Sequence, residues 1–386
     1  MKRIVILLSF FTAVAFGLQS QPTQAKTKST YTMYKVTSIK KTAYHNKSNN
    51  GAVYSTPHKS KKFNLKSYPH TTWYVTKSAL VKHRQGKKNV VARYFYIKNN
   101  TGKMSGWVWN QYLKSGAAAF YIRAPHAVAI DAQTGKVLYS KDGNTAVPVA
   151  SMIKTLTAYM AYDKIAHHKG SWSSKVSVGS GAAKMSRSSD CGGFVMHAGS
   201  KYTVKQLMDA ALIDSSNAVA TRLGVWVSGS NAKHIRAMSN LLSSWGVNAH
   251  IVSASGLDNT DLSRFKYQLP GSGYWDQNYI SANGMAVIGR NLLNRFPQVT
   301  KITSENDMKV CGQTIHNFNT TLPGRKYNVP SLKIDGLKNG YTGRAGYCLM
   351  GTGKMDGKHR IITVVVNDEN MSTDTTALMQ HGYKKM

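Results

Sequence analysis

The sequence predicts an α+β fold, an antiparallel sheet covered by helices, preceded by a small all-β module. Three observations predict it. Charge is segregated along the chain, short β-branched and aromatic runs crowd the first third, and strand-length apolar runs stand at both ends of the remainder with helix-length runs between them. Across 386 residues there are 51 Lys and Arg against 16 Asp and Glu, a net charge of +35. A hydrophobic content of 42% supports a packed core and excludes both a disordered polyelectrolyte and a polytopic membrane protein. The length allows two or three domains. Three cysteines, Cys191, Cys311 and Cys348, are too few for a disulfide scaffold and show no metal-ligand spacing. Their odd number leaves at least one thiol without an internal partner.

Met1-Lys2-Arg3 is basic, Ile4 to Leu18 is apolar apart from Ser9, Thr12 and Gly17, and polar and small residues follow to Ala25. That is the layout of a secretory signal over residues 1–25, removed near Ala25. The apolar run is shorter than the roughly 20 residues a spanning helix needs, which sets the signal above an uncleaved anchor or a buried helix. No later run is long enough to cross a bilayer, so the expected mature chain is exported and carries no transmembrane segment.

From Lys26 to Ser115 there are 19 Lys or Arg and no acidic residue; the first is Asp131. Within this stretch Thr71–Thr76, Val90–Ile97 and Gly106–Trp109 read as strands, separated by turn signals at Asn49-Asn50-Gly51 and Asn99–Gly102. Residues 26–115 therefore form the expected all-β domain. Around Gly106-Trp107 the module resembles the SH3-like and GW-type wall modules of Gram-positive surface proteins. A uniformly positive surface attracts a polyanion. For an exported protein that means an anionic wall polymer such as teichoic acid, an anionic lipid surface or an acidic glycan, with a merely solubilising surface as the alternative; export argues against nucleic acid.

Residues 116–386 form the second expected domain. Ala127–Ile130 and Val137–Tyr139 flank Asp131–Lys136 as a hairpin, a helix opens near Ser151 and runs past Ile165, and further helices are expected at Val204–Val225, Asn231–Trp245 and Ser281–Phe296. Strands at Gly346–Gly351 and Arg360–Val366 and a helix at Thr373–Tyr383 close the chain, so the first and last strands are expected to lie together.

Three motifs carry chemistry. Ser151-Met152-Ile153-Lys154 puts a hydroxyl and an amine three residues apart, on one face of a helix, where a neutral Lys can deprotonate a weak serine nucleophile. Burial or a neighbouring cation would keep that Lys neutral. The same spacing recurs at Ser38/Lys41, Ser230/Lys233 and Ser263/Lys266; Ser151 stands apart because it follows a hairpin and opens an apolar helix, where it also reads as an N-cap. Ser215-Ser216-Asn217 interrupts the apolar stretch Leu207–Leu223 and reads either as a helix break or core trio, or as a proton-relaying hydroxyl with a substrate-holding amide. Lys338-Asn339-Gly340, running on into Tyr341 and Thr342, offers a cation beside a close-approach glycine on a strand edge; alone it is also a turn signal.

In order, 64 residues separate Ser151 from Ser215 and 123 separate Ser215 from Lys338. Together the motifs resemble the Ser-x-x-Lys, Ser-x-Asn and Lys-Thr-Gly set of penicillin-recognising serine enzymes. More narrowly, residues 120–386 resemble the serine D-alanyl-D-alanine carboxypeptidases, the low-molecular-mass penicillin-binding proteins, through Ile130–Leu138, Tyr202–Val204, Ser255–Leu257, Asp335–Lys338 and Ala345–Tyr347. The resemblance implies a β-lactamase/DD-peptidase-like fold and catalytic roles for Ser151 as nucleophile, Lys154 as base and Ser215 as proton relay. It implies substrate binding by Asn217, Lys338, Asn339, Gly340, Tyr341 and Thr342, with the oxyanion held by the backbone N–H groups of Ser151 and Tyr341. The implied partners are peptidoglycan stem peptides and, as covalent inhibitors, β-lactams; no metal and no organic cofactor is implied. Asn339 departs from the Thr or Ser usual at that position, with Thr342 or Arg344 as candidates to compensate. Many relatives add a C-terminal β domain and a membrane-binding helix, and the basic module is expected to take over that anchoring at the cell wall. The competing readings are a β-lactamase, for which Glu305 and Glu369 are the only glutamates and neither has the Glu-x-x-x-Asn context, a transpeptidase or endopeptidase of the same fold, and an inactive wall-binding protein.

Overall fold

The protein is described by a computed structural model covering residues 31–48, 50–85 and 87–386; the expected export signal at 1–25 lies outside them. The described chain forms two compact units, divided in sequence between Tyr121 and Ile122.

The first unit is built from seven described strands: β1 (Thr32–Asn46), β2 (Ala52–Tyr54), β3 (Lys61–Asn64), β4 (Trp73–Gln85), β5 (Lys88–Lys98), β6 (Ser105–Trp109) and β7 (Leu113–Ser115). They pair antiparallel in the order β3-β2-β6-β5-β4-β1-β7. Val53, Leu65, Trp73, Val75, Ile97 and Val108 fill the main core, and Ala79, Val81, Tyr94 and Trp107 a second one. The indole N–H of buried Trp73 donates to Asn46 Oδ1 at 2.9 Å, and Asn46 Nδ2 donates to the carbonyls of Leu65 and Tyr68 at 3.0 and 3.1 Å. One side chain thereby satisfies the buried donor and ties three segments together. β1 is unannounced in the sequence because its Lys-rich side chains are largely exposed and lack apolar alternation; pairing with β4, through two register shifts, makes it a strand.

The second unit opens with the expected hairpin, β8 (His126–Asp131) and β9 (Val137–Lys141). Short strands β10 (Ala146–Pro148), β13 (Ala249–His250) and β14 (Tyr279–Ser281) form one small sheet. β11 (Lys175–Ser177) pairs with β12 (Lys201–Thr203), and β15 (Asp307–Val310) with β16 (Gln313–His316). β17 (Ile334–Thr342), β18 (Gly346–Gly353) and β19 (Ile361–Val366) complete a five-stranded antiparallel sheet, β17-β18-β19-β8-β9, in which the first and last strands of the unit are neighbours.

The helices are α1 (Lys154–Ala166), α2 (Ser180–Ser186), α3 (Val204–Leu212), α4 (Asn217–Ser228), α5 (Asn231–Ser244), α6 (Asn259–Ser263), α7 (Ala282–Arg295), α8 (Thr300–Thr303) and α9 (Met371–Tyr383). Both faces of the sheet are covered. Every residue of β19 is buried, with Ile362 and Val364 in the large core shared with α1 and α7, and Ile361 in a separate core with Met379 and Tyr383 of α9. A strand buried on both faces reads as an unbroken apolar run, as this one does.

Two helix expectations are corrected. The expected helix at Ser151 begins as a 3-10 turn, Ala150–Ile153, and becomes α-helical at Lys154. The expected single helix Val204–Val225 is two, because the chain turns at Asp214–Ser216 with Ser215 at φ +59°. Short polar side chains compete for the backbone hydrogen bonds that would have continued the helix.

Candidate active site

Ser151 is held by its backbone before its side chain does anything. Ala150, preceding it, has φ +46°, a conformation that costs a non-glycine residue about 1–2 kcal/mol and needs outside support. Two glycines let that support come close. A Cβ on Gly256, itself at φ +94°, would lie 2.1 Å from the Ala150 carbonyl oxygen, and one on Gly340 would lie 2.8 Å from the Ser151 nitrogen. Backbone thus presses on backbone from a loop on one side and from β17, an edge strand, on the other.

Lys154, the first residue of α1, is 1% exposed. Its Nζ lies 2.5 Å from Ser151 Oγ, 2.7 Å from Asn217 Oδ1 and 2.7 Å from the Ser255 carbonyl oxygen. A neutral amine has two N–H donors and one lone pair, matching two obligate acceptors plus a hydroxyl able to donate. Burial pushes the Lys154 pKa well below its ordinary value, repulsion from Lys338 pushes it the same way, and Asp214 opposes both. Burial and the second cation both act towards the neutral amine.

Asn217 opens α4 and its amide orientation is set from both ends: Oδ1 accepts from Lys154, and Nδ2 donates to the Cys191 carbonyl at 3.1 Å. Ser215 is half-buried in the break between α3 and α4. Among the described residues no hydrogen bond links its hydroxyl to Ser151, Lys154 or Lys338. The Oγ of the next residue, Ser216, is buried without a partner.

Lys338 is equally buried, at 1% exposure, and its Nζ donates to the Asn339 carbonyl at 3.1 Å and to Asn339 Oδ1 at 3.2 Å. Burial lowers its pKa to about 7, with Asp214 acting in the opposite sense. Asn339 so spends its side-chain oxygen on the lysine beside it. Tyr341 is exposed, its ring 4.6 Å from that of Tyr347, and Thr342 Oγ1 accepts from the Ala345 N–H at 3.0 Å, closing the β17–β18 turn. The structure thus bonds Ser151, Lys154 and Asn217 directly, sets Lys338 within electrostatic reach of Lys154, and packs Gly340 on the Ser151 turn. Ser215, Asn339, Tyr341 and Thr342 make no direct bond to the serine.

Three participants are given no role by sequence reasoning, although Ser255 and Gly256 lie in the matched stretch Ser255–Leu257. Asp214 faces both lysines and, half-buried, has its own pKa raised by desolvation against the pull of the Phe194 N–H, Lys338, His316 and Lys154. Its signal was an acid directly before Ser215 in a chain with few acids. Ser255 contributes only a carbonyl and Gly256 only its missing side chain, so neither carries a side-chain signature. One trio, Asp190, Cys191 and Asp261, is close enough to face a cation, but Arg264 already fills that role, bonding Asp190 at 2.6 Å and Asp261 at 3.2 Å.

A family model described as peptidase S11, D-alanyl-D-alanine carboxypeptidase, matches residues 114–370. The carboxypeptidase DacF of Bacillus subtilis is 30% identical over 246 residues, 63% of this chain and 57% of that protein. DacA of Escherichia coli is 26% identical over 269 residues, 68% of this chain and 61% of that protein. The chain therefore spans somewhat under two thirds of these curated relatives. Among solved structures, a peptidoglycan synthesis regulatory factor (PBP3) from Streptococcus pneumoniae superposes with a TM-score of 0.63 at 33% identity, covering 69% of this chain and 70% of that one. Penicillin-binding protein D2 from Listeria monocytogenes, solved with cefotaxime bound, gives 0.55 at 25% identity over 69% of this chain and 99% of that one. The matched region contains Ser151, Lys154, Asn217 and Lys338 alike, and the chain belongs to the D-alanyl-D-alanine carboxypeptidase family, peptidase S11.

Proposed function

We propose that the chain removes the terminal D-alanine from peptidoglycan stem peptides through an acyl-enzyme on Ser151. The observation that carries this reading is the 2.5 Å approach of Ser151 Oγ to a buried Lys154 whose two other partners are acceptors. Lys154 accepts the hydroxyl proton as Ser151 attacks the carbonyl of the terminal D-Ala–D-Ala bond. The oxyanion forms between the N–H groups of Ser151 and Tyr341, where such preorganised donors contribute about 3–4 kcal/mol each. Ser215 passes a proton to the departing D-alanine amine, and water then releases the shortened peptide. The substrate lies along β17, an edge strand with unpaired backbone groups, with Lys338, Thr342 and the Asn339 amide towards its carboxylate and Asn217 towards its amide.

The family and the relatives' names support this activity, and the cefotaxime-bound and ampicillin-bound Listeria structures support β-lactams as covalent inhibitors. The signal at 1–25 would export the enzyme, and the SH3-like module at 26–115 would hold it to an anionic wall polymer such as teichoic acid. Mass spectrometry of the intact protein after benzylpenicillin tests the core of the reading. A persistent adduct on the Ser151 peptide, absent from Ser151→Ala, is expected. Rapid turnover would instead indicate a β-lactamase, and no adduct an inactive wall-binding protein.

A further inference from the structure

The first unit encloses a cavity of about 570 Å³, within the range of small-ligand sites. Tyr31 lies stacked between two imidazoles, its ring 3.7 Å from that of His58 and 5.0 Å from that of His83. Tyr54 stands 5.0 Å from His58, the Tyr94 hydroxyl bonds His58 Nε2 at 2.5 Å, and Trp109 lies at the rim, 37% exposed. These are amphipathic walls, with flat apolar faces and polar edges, suited to a sugar ring whose C–H face is apolar and whose rim is hydroxylated. Burial raises the pKa of Tyr54 and pushes Tyr94 up to about 12, so both phenols remain protonated donors.

Aromatic cages also take quaternary ammonium groups, and charge decides against that here. Residues 31–121 hold 17 Lys or Arg and no acidic residue, so a cation meets repulsion from the whole unit and an anion is drawn in. Among the described residues, the ionisable groups lining the cavity are imidazoles and phenols. His58 faces Tyr31, Tyr54, Tyr94 and His83, and burial and His83 hold its pKa below the ordinary value. An entering anion would meet the polar ring edges of His58 and His83 and no carboxylate.

We propose that this cavity binds a phosphorylated saccharide, the sugar ring against Trp109 and the phosphate oxygens at His58 and His83. The proposal rests on, and sharpens, the reading that this unit meets an anionic wall polymer, by adding a sugar-selective site to a diffuse charge.

The test titrates the full chain with N-acetylglucosamine 1-phosphate, N-acetylglucosamine and inorganic phosphate by calorimetry. The sugar phosphate should bind at least tenfold more tightly than either half, and Trp109→Ala and His83→Gln should each weaken it at least tenfold with the thermal midpoint retained. In the unsubstituted protein the imidazole NMR signals of His58 and His83 should move on saturation, a readout independent of any variant. Equal affinity for inorganic phosphate, indifference to Trp109→Ala, unmoved imidazole signals, or preferential binding of choline or of a wall peptide would each overturn the proposal. Retention on a sugar-free polyol phosphate polymer separates the two readings: retention lost on replacing Lys59, Lys61 and Lys62 by Gln, without sugar-phosphate binding, leaves the polymer reading standing and removes this one.

Discussion

Two lysines buried within electrostatic reach of each other set the chemistry of the site and its pH dependence together. Lys154 and Lys338 are each 1% exposed; burial lowers both pKa values, Lys338 lowers that of Lys154 further, and Asp214 acts against the shift in each. The Lys338 pKa is about 7 in the folded protein against an ordinary 10.5, so between those values the unfolded chain binds more protons than the folded one. Stability therefore rises with pH through that window, by about 1.4 kcal/mol per pH unit per group, and is least below it, where folding has to bury the charge. The thermal midpoint should climb from pH 7 to pH 9, and Lys338→Met should flatten the climb; an unchanged slope would show that Lys338 does not titrate there. Catalysis should show the opposite sense, because a neutral Lys338 no longer attracts a carboxylate: kcat/KM should fall above about pH 7, and Lys338→Arg should delay that fall. On the proposed mechanism, replacing Lys154 by Gln would leave Ser151 without a base, and kcat should drop at least about a thousandfold with the fold retained, measured on a D-Ala–D-Ala peptide.

At the level of elements, the site is made by breaks and close approaches more than by regular structure. Much of the regular part was legible: the β8–β9 hairpin, β18, β19, α5, α7 and α9 lie within a few residues of expectation because each has an apolar run of the right period and a turn signal at its ends. The α3–α4 break was not, since apolar residues continue through Leu207–Leu223 and only the polar trio Ser215-Ser216-Asn217 disturbs them. The three motifs could be read from the sequence because each needs particular side chains. The roles of Asp214, Ser255 and Gly256 could not, because their contributions are a field, a carbonyl and an absent side chain, even though Ser255–Leu257 took part in the resemblance. The two glycines that close on the Ser151 turn carry a prediction. Gly340→Ala would put a Cβ 2.8 Å from the Ser151 nitrogen, against backbone that cannot rotate away, so kcat should fall at least tenfold for about 1–3 kcal/mol of stability. Gly256→Ala adds a strained φ to a 2.1 Å overlap with Ala150 and should destabilise more. Urea unfolding with parallel assays checks the ranking, and equal effects would mean the turn is not clamped from both sides.

Over the whole molecule, charge is distributed so that two kinds of recognition respond differently to salt. Residues 31–121 carry 17 basic and no acidic side chains, and nearly all of that charge is on exposed or half-exposed lysines and arginines. Their attraction to a polyanion acts through solvent, over a screening length of about 10 Å at 0.1 M salt and 3 Å at 1 M. The Ser151–Lys154 contact is 2.5 Å long and part-buried, with Lys154 only 1% exposed, so salt screens it much less than the surface charge. Raising salt from 0.1 to 1 M should therefore release the protein from polymer-bearing cell walls while changing turnover of a short D-Ala–D-Ala peptide less than about twofold. Co-sedimentation and hydrolysis measured on the same samples decide the matter. Retention that survives 1 M salt would transfer the binding from the distributed lysines to a dry, shape-selective contact, and turnover that falls in step with release would show that the exposed charge also serves the reaction.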